Sequence, residues 1–351
     1  MLKLLKRILL LLLALVLITS ALALGYRKFA QAEIRDAVHI NSEQGIQTLE
    51  TVDINGLQQW IKIRGHNVNN PVLLFLHGGP GMPEVAVSHL SDLELEKHFT
   101  VVHWDQRGSG KTHREGFREQ DLTVEVFSND ALALVDHLRQ RFKQDKIYLL
   151  GHSWGSMLGA LLARDYPERL HAFIGMGQVV NLTENEQLSL EFVRAQAQER
   201  NIPSAIEELK GLNPPYVDDP NQLGIQRKWL YYFGGGVSLH AMGDVVRGYL
   251  VSPDYSLLDL LGALRGTQIA NKMWPEMLLY DFEEDAPSFD IPIYFFAGRQ
   301  DYNTPSILAE QYLEKLQAPR KEIIWFENSA HIMNVSNSKQ YQEALIKILG
   351  D

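Results

Sequence analysis

The sequence predicts an α/β protein in which helices cover both faces of a mostly parallel sheet. Short apolar strands alternate with amphipathic helices along much of the 351-residue chain, and such alternation is typical of a parallel sheet. A mainly helical stretch interrupts this pattern, and an apolar N-terminal run precedes it. Hydrophobic residues make up 45% of the chain and charged residues 22%, an ordinary composition for a globular protein.

The composition excludes several kinds of site. The chain contains no cysteine, which rules out a disulfide scaffold, a cysteine-ligated metal and a thiol nucleophile. The net charge of -10 argues against a nucleic-acid partner, because nucleic-acid binding needs a basic face. Any enzyme with this sequence must use oxygen nucleophiles, carboxylates or histidines, or a metal held by oxygen or nitrogen.

The first 27 residues are predicted to be a membrane anchor or a signal peptide. Residues 8–25 form an apolar run interrupted only by Thr19 and Ser20, and three basic residues precede it. As a helix the run is roughly 27 Å long, enough to cross a bilayer core. The basic residues predict a cytoplasmic N-terminus. We favour an uncleaved anchor over a signal peptide cut near residues 21–23; both place the rest of the chain in the periplasm or outside the cell.

Residues 28–44 are predicted to be a polar linker, and the sheet is predicted to begin with a hairpin. Asn55-Gly56, a strong turn signal, separates strands predicted at 46–54 and 57–63. Further buried strands are predicted at 72–76, 100–104, 147–150, 172–176, 293–297 and 322–326. Between the fourth and fifth strands, apolar residues share one face of a helix for which Ser128 or Asn129 is the predicted N-cap.

Residues 179–287 are predicted to form a helical cap inserted into the sheet domain. Helical periods dominate this stretch, prolines interrupt it, and strand patterns return only at Ile291. Since the chain comes back to complete the sheet, the core is predicted to comprise residues 45–178 and 288–351.

The residues at 151–155 (GHSWG) match the pattern G-x-S-x-G between a buried strand and a helix. In that context the pattern is typical of a nucleophilic serine on a sharp turn. Ser153 is therefore the predicted nucleophile. A serine hydroxyl needs a base that removes its proton and an acid that orients the base.

Two late strands supply candidates for these partners. Asp301 follows the strand predicted at 293–297, and His331 follows the strand predicted at 322–326. The order Ser, Asp, His and the position just past a strand end both fit a hydrolytic triad. Asp290 is the rival acid, but it precedes its strand.

Two backbone amides are expected to bind the oxyanion that forms during acyl transfer. One is the N–H of Trp154, which directly follows the nucleophile. The other lies in the loop at 77–81 (HGGPG), where glycines allow a close approach of the backbone to substrate. Gly79 is the preferred donor in this loop and Gly78 the alternative.

The segment 108–112 (GSGKT) resembles the end of a phosphate-binding loop but lacks its first glycine, since Asp105 stands at that position. No apolar helix follows the segment, so we reject a nucleotide site. The sequence shows no signature of a metal site or of a dinucleotide site, and neither a metal nor a cofactor is expected.

These motifs resemble the α/β-hydrolase superfamily and, within it, the proline iminopeptidase group. The resemblance rests on HGGPG at 77–81, DQRGSG at 105–110, GHSWG at 151–155, and GRQD at 298–301 with His331. It implies an eight-stranded, mostly parallel sheet with a cap after the sixth strand, and no cofactor. It also implies release of N-terminal residues from peptides, with Gly78 and Pro80 among the residues that line the substrate site.

The cap departs from the pattern of this group. A motif similar to W-x-x-W-E-G there supplies a glutamate for the substrate's amino group, whereas the matching residues here, 229–234, read WLYYFG. Phe233 occupies the glutamate position, and it and Trp229 are candidate substrate-binding residues. The alternative carboxylates for the amino group are Glu184, Glu186, Glu191, Asp244 and Glu283.

The sequence therefore predicts a serine hydrolase, with an aminopeptidase acting on short peptides or amides as the leading interpretation. One alternative is an esterase, lactonase or thioesterase acting on small apolar acyl groups. The other is a non-catalytic ligand-binding protein that keeps the hydrolase fold. The expected partners are a small molecule or short peptide and a membrane bound through the N-terminal helix; the oligomeric state stays open.

Overall fold

The middle strands of the sheet are buried on both faces, as strands covered by helices on each side must be. The computed structural model describes residues 2–115, 119–217 and 219–350. Its strands are β1 Ile46–Ile54, β2 Leu57–Gly65, β3 Val72–Leu76, β4 Thr100–Trp104, β5 Ile147–His152, β6 Leu170–Met176, β7 Ile293–Gly298 and β8 Lys321–Phe326. They form one eight-stranded sheet, which confirms the predicted fold class.

The strands lie in the order β1-β2-β4-β3-β5-β6-β7-β8. β2 is antiparallel to both β1 and β4, and the strands from β4 to β8 are parallel to one another. Asn55 and Gly56 join β1 to β2 with φ values of 52° and 81°, the positive pair that a type I′ hairpin turn requires. All six parallel strands consequently end at one edge of the sheet.

Helices of the sheet domain pack on both faces. They are α2 Leu95–His98, α3 Val124–Phe142, α4 Trp154–Asp165, α11 Ser306–Lys315, α12 Met333–Ser336 and α13 Ser338–Ile348. The N-cap of α3 is Thr123, whose side chain accepts from the N–H of Val126. Neither Ser128 nor Asn129 caps the helix, because α3 begins one turn earlier with a complete capping bond of its own.

A helical cap connects β6 to β7, as predicted. It contains α5 Leu182–Glu199, α6 Pro203–Leu209, α7 Pro220–Phe233, α8 Leu239–Val251, α9 Leu257–Met277 and α10 Phe282–Asp285. Its first three helices have a hydrophobic cluster of their own. A β-bridge between Asn181 and Asp281 joins the two ends of the insertion, so the chain leaves and re-enters the sheet domain at one place.

The N-terminal helix α1 comprises Leu2–Ala37. It is long and apolar enough to cross a membrane by length and composition, with a mean hydropathy of 2.8 in its most apolar window. Residues 28–37, predicted to be linker, continue this helix. Within this stretch Gln31 is buried and donates a hydrogen bond to the Ser252 carbonyl, which holds the helix against the cap.

One buried carboxylate joins the hairpin to the rest of the sheet domain. Asp130 on α3 has no exposed surface and accepts two hydrogen bonds from Arg107, at 2.9 and 3.1 Å. It also accepts from the side chains of Asn55 and Gln59, at 2.9 and 2.7 Å. Helix, hairpin and the loop after β4 are thus held by a single acceptor group.

We predict that Asp130→Asn destabilises the protein by about 3–5 kcal/mol, because the buried Arg107 charge keeps only the more distant Asp121 carboxylate, at 3.8 Å, as its ion-pair partner. Equilibrium unfolding of the detergent-solubilised full chain in guanidinium, followed by tryptophan fluorescence, measures this change. The control is Asp145→Asn at an exposed position, where a change within about 0.5 kcal/mol is expected. Equal unfolding midpoints for the two variants would contradict the role assigned to Asp130.

Candidate active site

Ser153 lies on the turn between β5 and α4. Its φ and ψ are 52° and −119°, a conformation that costs energy for a residue with a side chain. Its N–H donates to the Met176 carbonyl at 2.9 Å. The turn has no room for side chains at its flanks, since a Cβ on Gly155 would lie 2.0 Å from the Leu76 carbonyl oxygen. Ser153 is thereby held at the carboxyl edge of the sheet.

Asp301 and His331 meet at the same edge, in the loops after β7 and β8. The His331 Nδ1 and the Asp301 Oδ2 are 2.9 Å apart. The two loops pass very close to each other, because a Cβ on Gly298 would lie 2.3 Å from the Ala330 carbonyl oxygen. The structure therefore brings the predicted acid and base into direct contact.

The Asp301 carboxylate is oriented by its own loop. Its Oδ1 accepts from the N–H groups of Asn303 and Thr304, at 2.8 and 2.9 Å, and its Oδ2 accepts from the Thr304 hydroxyl at 2.9 Å. With these donors in place, Oδ2 faces His331. The sequence did not indicate Thr304, because its contact with Asp301 depends on the shape of the loop and no motif marks it.

Ser153 and His331 both contact the end of β6. A Cβ on Gly177 would lie 3.0 Å from the His331 ring, and the preceding residue, Met176, accepts the hydrogen bond from the Ser153 amide. Gly177 has a φ of +55°, so the chain turns away immediately after β6. This turn leaves space for the His331 imidazole next to the end of β6.

The pKa of His331 is lowered from its ordinary value of 6.5, chiefly because burial penalises the charged ring. The Asp301 carboxylate opposes this effect, and the positive charges of His152 and Arg227 add to it. His331 is therefore neutral at pH 7. With Nδ1–H donating to Asp301, its Nε2 is left to accept a proton.

His152, which precedes the nucleophile, is a second histidine in the site. Its Nδ1 lies 3.0 Å from the Glu84 carboxylate and its Nε2 lies 3.0 Å from the His331 carbonyl oxygen. Both partners are acceptors, an arrangement that favours the doubly protonated form of the ring. Burial opposes this charge, but the hydrogen bond and the charge of Glu84 raise the pKa of His152 above its ordinary value.

Glu84 also accepts a hydrogen bond from Asn334 at 2.9 Å, and so connects the loop after β3 with helix α12 behind His331. Sequence reasoning missed Glu84. It lies three residues beyond HGGPG, and no motif or periodicity marks it.

The predicted oxyanion loop lies beside the nucleophile. A Cβ on Gly78 would be 3.2 Å from the Ser153 Cβ. Gly79 has a φ of +114°, which residues with side chains rarely adopt, and the next residue, Pro80, is buried in the same loop. Trp154 is the first residue of α4, where backbone N–H groups have no partner within the helix.

Gln106 connects Trp154 with His77, the first residue of the predicted oxyanion loop. Its side-chain oxygen accepts from the Trp154 indole at 3.0 Å, and its side-chain nitrogen donates to the His77 carbonyl at 3.1 Å. Its backbone N–H also donates to the His77 ring at 3.2 Å. Burial lowers the pKa of His77 to about 4, so this ring is a neutral acceptor. The DQRGSG segment therefore supports the site.

The segment 108–112 (GSGKT) contacts the cap through Lys111 and its own loop through Thr112. Lys111 forms an ion pair with Asp259 at 3.2 Å, and the Thr112 hydroxyl donates to the Asp105 carbonyl at 2.6 Å. These contacts give residues 108–112 a structural role. Among the residues that the structure describes, no group of three or more histidines, aspartates or glutamates could hold a metal ion.

Trp229 and Phe233 lie in the hydrophobic cluster of the cap. Both are at least nine-tenths buried, and their rings stack on each other at 5.8 Å. The Trp229 indole donates to Glu208, and the Arg200 guanidinium lies over the Phe233 ring. All these contacts are with other parts of the cap. They give the two rings a packing role there, a simpler reason for their presence than the predicted contact with substrate.

Of the cap carboxylates considered for a substrate amine, Glu186 lies next to a residue that is hydrogen-bonded to the loop carrying Asp301. Its neighbour Asn185 donates to the Asn303 carbonyl at 2.9 Å. Glu186 itself is fully buried and accepts from both terminal nitrogens of Arg227, at 2.5 and 2.8 Å. The negative charge of Glu186 is therefore balanced within the cap.

Comparisons with known proteins agree with this architecture. Residues 71–201 match the sequence profile of the alpha/beta hydrolase fold. A probable aminopeptidase of Bacillus subtilis, YbaC, is 30% identical over 316 residues, covering 87% of this chain and 97% of that protein. A proline iminopeptidase of Lactobacillus crispatus is 25% identical, covering 84% of this chain and 95% of that protein.

A solved structure extends the similarity of fold over the whole chain. A membrane phospholipase A, described as a bacterial virulence factor, superposes with a TM-score of 0.62 at 18% identity, covering 99% of this chain and 100% of that protein. At this level of identity the agreement concerns the fold alone. The sheet order, the inserted cap and the similarity to YbaC together show that the chain belongs to the α/β-hydrolase family, in which it resembles the proline iminopeptidases.

Proposed function

We propose that the protein is a serine hydrolase that works through an acyl-enzyme on Ser153. The observation that carries this proposal is the Asp301–His331 hydrogen bond at the sheet edge, beside a serine held on a strained turn. A buried neutral histidine oriented by a carboxylate is the base that a serine nucleophile needs.

In the proposed reaction, Ser153 Oγ attacks the substrate carbonyl carbon while His331 Nε2 takes the hydroxyl proton. The carbonyl oxygen becomes an oxyanion, which the N–H groups of Gly79 and Trp154 stabilise by hydrogen bonds. His331 then donates its proton to the leaving group as the acyl-enzyme forms. Water attacks the acyl-enzyme by the same steps and releases the acid, and the Ser153 hydroxyl is restored.

We propose short peptides or amino-acid amides with a free N-terminus as the substrates. The support is the naming of the relatives: the Bacillus protein is called a probable aminopeptidase and the Lactobacillus protein a proline iminopeptidase. Both similarities extend over more than four-fifths of this chain, and therefore include the cap. In this proposal the carboxylate that binds the substrate amine is Glu186, whose neighbour Asn185 is hydrogen-bonded to the loop that carries Asp301.

A second candidate is hydrolysis of uncharged apolar acyl esters, thioesters or lactones. It is favoured by two features of the cap: Phe233 occupies the motif position of the glutamate, and Glu186 is already neutralised by Arg227. A site without net charge suits an uncharged acyl group better than an ammonium ion, which is costly to desolvate without an opposite charge.

We further propose that α1 anchors the enzyme in a membrane, with the sheet domain and cap outside the cytoplasm. The apolar window of α1 and the basic residues before it support this orientation.

The first prediction about the catalytic chemistry concerns the nucleophile. Ser153→Ala should lower the hydrolytic rate at least about 10⁴-fold and abolish labelling by a fluorophosphonate probe, because no activated hydroxyl remains. Ser204→Ala, at an exposed position on the cap helix α6, is the matched control and should label like the native protein. Equal labelling of the Ser153→Ala protein would disprove the assignment, and an unlabelled native protein would support a non-catalytic role.

The second prediction concerns pH. Because burial lowers the pKa of His331, the ring is neutral and active above that pKa, and activity is lost as the pH falls through it. We expect kcat/KM to be level near pH 7 and to fall with a midpoint below 6.5. Circular dichroism at each pH checks that the protein stays folded. An acid midpoint at pH 7 or above would refute the buried-base interpretation.

The third prediction separates the two substrate classes. Proline and alanine anilides, their N-acetylated forms and short-chain nitrophenyl esters should be compared at equal enzyme concentration. For an aminopeptidase, acetylation removes the charge that the cap must recognise, and we expect kcat/KM to fall by about 100-fold, equivalent to roughly 2.7 kcal/mol. If acetylated anilides react as fast as free ones, the aminopeptidase proposal fails and the ester class remains.

A further inference from the structure

The N-terminal helix is fastened to one turn of the cap. Arg27 donates through Nε to the Leu250 carbonyl at 2.8 Å and through Nη2 to the Tyr255 carbonyl at 2.6 Å. One helical turn later, Gln31 donates to the Ser252 carbonyl at 2.6 Å. All three acceptors are backbone carbonyls at the junction of α8 and α9, so these bonds fix where α1 leaves the body of the protein.

The same part of α1 has the composition of a membrane interface. The apolar run ends at Gly25, and the next four residues read YRKF. Tyr26 and Phe29 are 56% and 62% exposed. Aromatic and basic residues concentrate at the boundary between lipid and water. A bilayer spanned by residues 8–25 would thus have its surface at the level of the α8–α9 junction.

Apolar side chains are exposed on both helices that meet at this junction. Leu239, Val246 and Leu250 are spaced by seven and four residues, which places them on one face of α8. At the start of α9, three further leucines are about half exposed or more. We call these six residues the cap face: Leu239, Val246, Leu250, Leu257, Leu258 and Leu261.

We propose that the cap face lies in the interfacial layer of the bilayer that α1 spans. The cap face is continuous with the membrane segment, because Leu250 belongs to the cap face and its own carbonyl accepts a hydrogen bond from Arg27 at the end of that segment. Helices bearing such an apolar face lie with it buried at the boundary between headgroups and acyl chains. The inference rests on the proposed anchoring by α1 and is independent of the substrate class.

This arrangement would place the active site close to the lipid. The Tyr249 hydroxyl on α8 donates to the Pro83 carbonyl, and a Cβ on Gly81 would lie 2.5 Å from Gly266 of α9. The two helices of the cap face are therefore packed directly on the predicted oxyanion loop, and a single helix layer separates that loop from the bilayer surface.

The absence of cysteine makes a direct test practical. Val246→Cys and Leu258→Cys would each be labelled with an NBD fluorophore on the full chain, in nanodiscs of phosphatidylethanolamine and phosphatidylglycerol. Leu15→Cys reports insertion of α1. Asp145→Cys, in the loop before β5 at the opposite edge of the sheet, is the matched water-exposed control. Quenching by lipids brominated on their acyl chains is the measurement.

We expect both cap-face labels to be quenched at least about twofold more than the Asp145→Cys label, since an interfacial helix is buried about 5–10 Å into the headgroup boundary. Quenching at Leu15→Cys alone would overturn the cap contact and leave the anchor. No quenching at any site would overturn both. A blue-shifted, unquenched cap-face label in a dimeric particle would show that a second copy covers the face, which also refutes the proposal.

Fluorophosphonate labelling of Ser153 in the same nanodiscs checks that each labelled variant is folded. It also keeps a failure of the catalytic proposal distinct from a failure of the membrane contact.

Discussion

The close contact between the β5–α4 turn and the end of β3 is the constraint on which the candidate site depends. A Cβ on Gly151 would lie 2.2 Å from the Gly155 carbonyl oxygen, and one on Gly155 would lie 2.0 Å from the Leu76 carbonyl oxygen. Backbone can therefore pack on backbone here, and the packing holds Ser153 in its strained conformation. It also brings the loop that follows β3 against the nucleophile, so one contact positions both Ser153 and the predicted oxyanion donors.

Burial and the nearby carboxylates shift the pKa values of three neighbouring histidines in different directions. His77 is neutral because burial lowers its pKa to about 4, and it can accept a hydrogen bond from Gln106. His331 is neutral for the same reason, although Asp301 opposes the shift. The pKa of His152 is raised, because Glu84 outweighs burial. The His152 and His331 ring centroids are 4.8 Å apart, so positive charge on His152 lowers the pKa of His331.

The sequence predicted the parts of the molecule that depend on local pattern. The strands, the hairpin at Asn55-Gly56 and the inserted cap followed from periodicity and turn residues, and the contact of Asp301 with His331 followed from their places after successive strands. Contacts between residues far apart in the sequence are not marked by periodicity or by turn residues. Glu84 lies within hydrogen-bond distance of His152, which is 68 positions away in the sequence. The later part of α1 packs on the cap because Arg27 and Gln31 donate hydrogen bonds to carbonyls more than 200 positions away.

The cap is hydrogen-bonded to the two loops that carry Asp301 and His331. The Gly236 carbonyl accepts from the His331 N–H at 2.8 Å, and the Gly235 carbonyl accepts from the Tyr302 N–H at 2.7 Å. The turn after α7 is therefore part of the scaffold that positions Asp301 and His331. A motion that lifted this turn would break both hydrogen bonds and disturb the contact between Asp301 and His331.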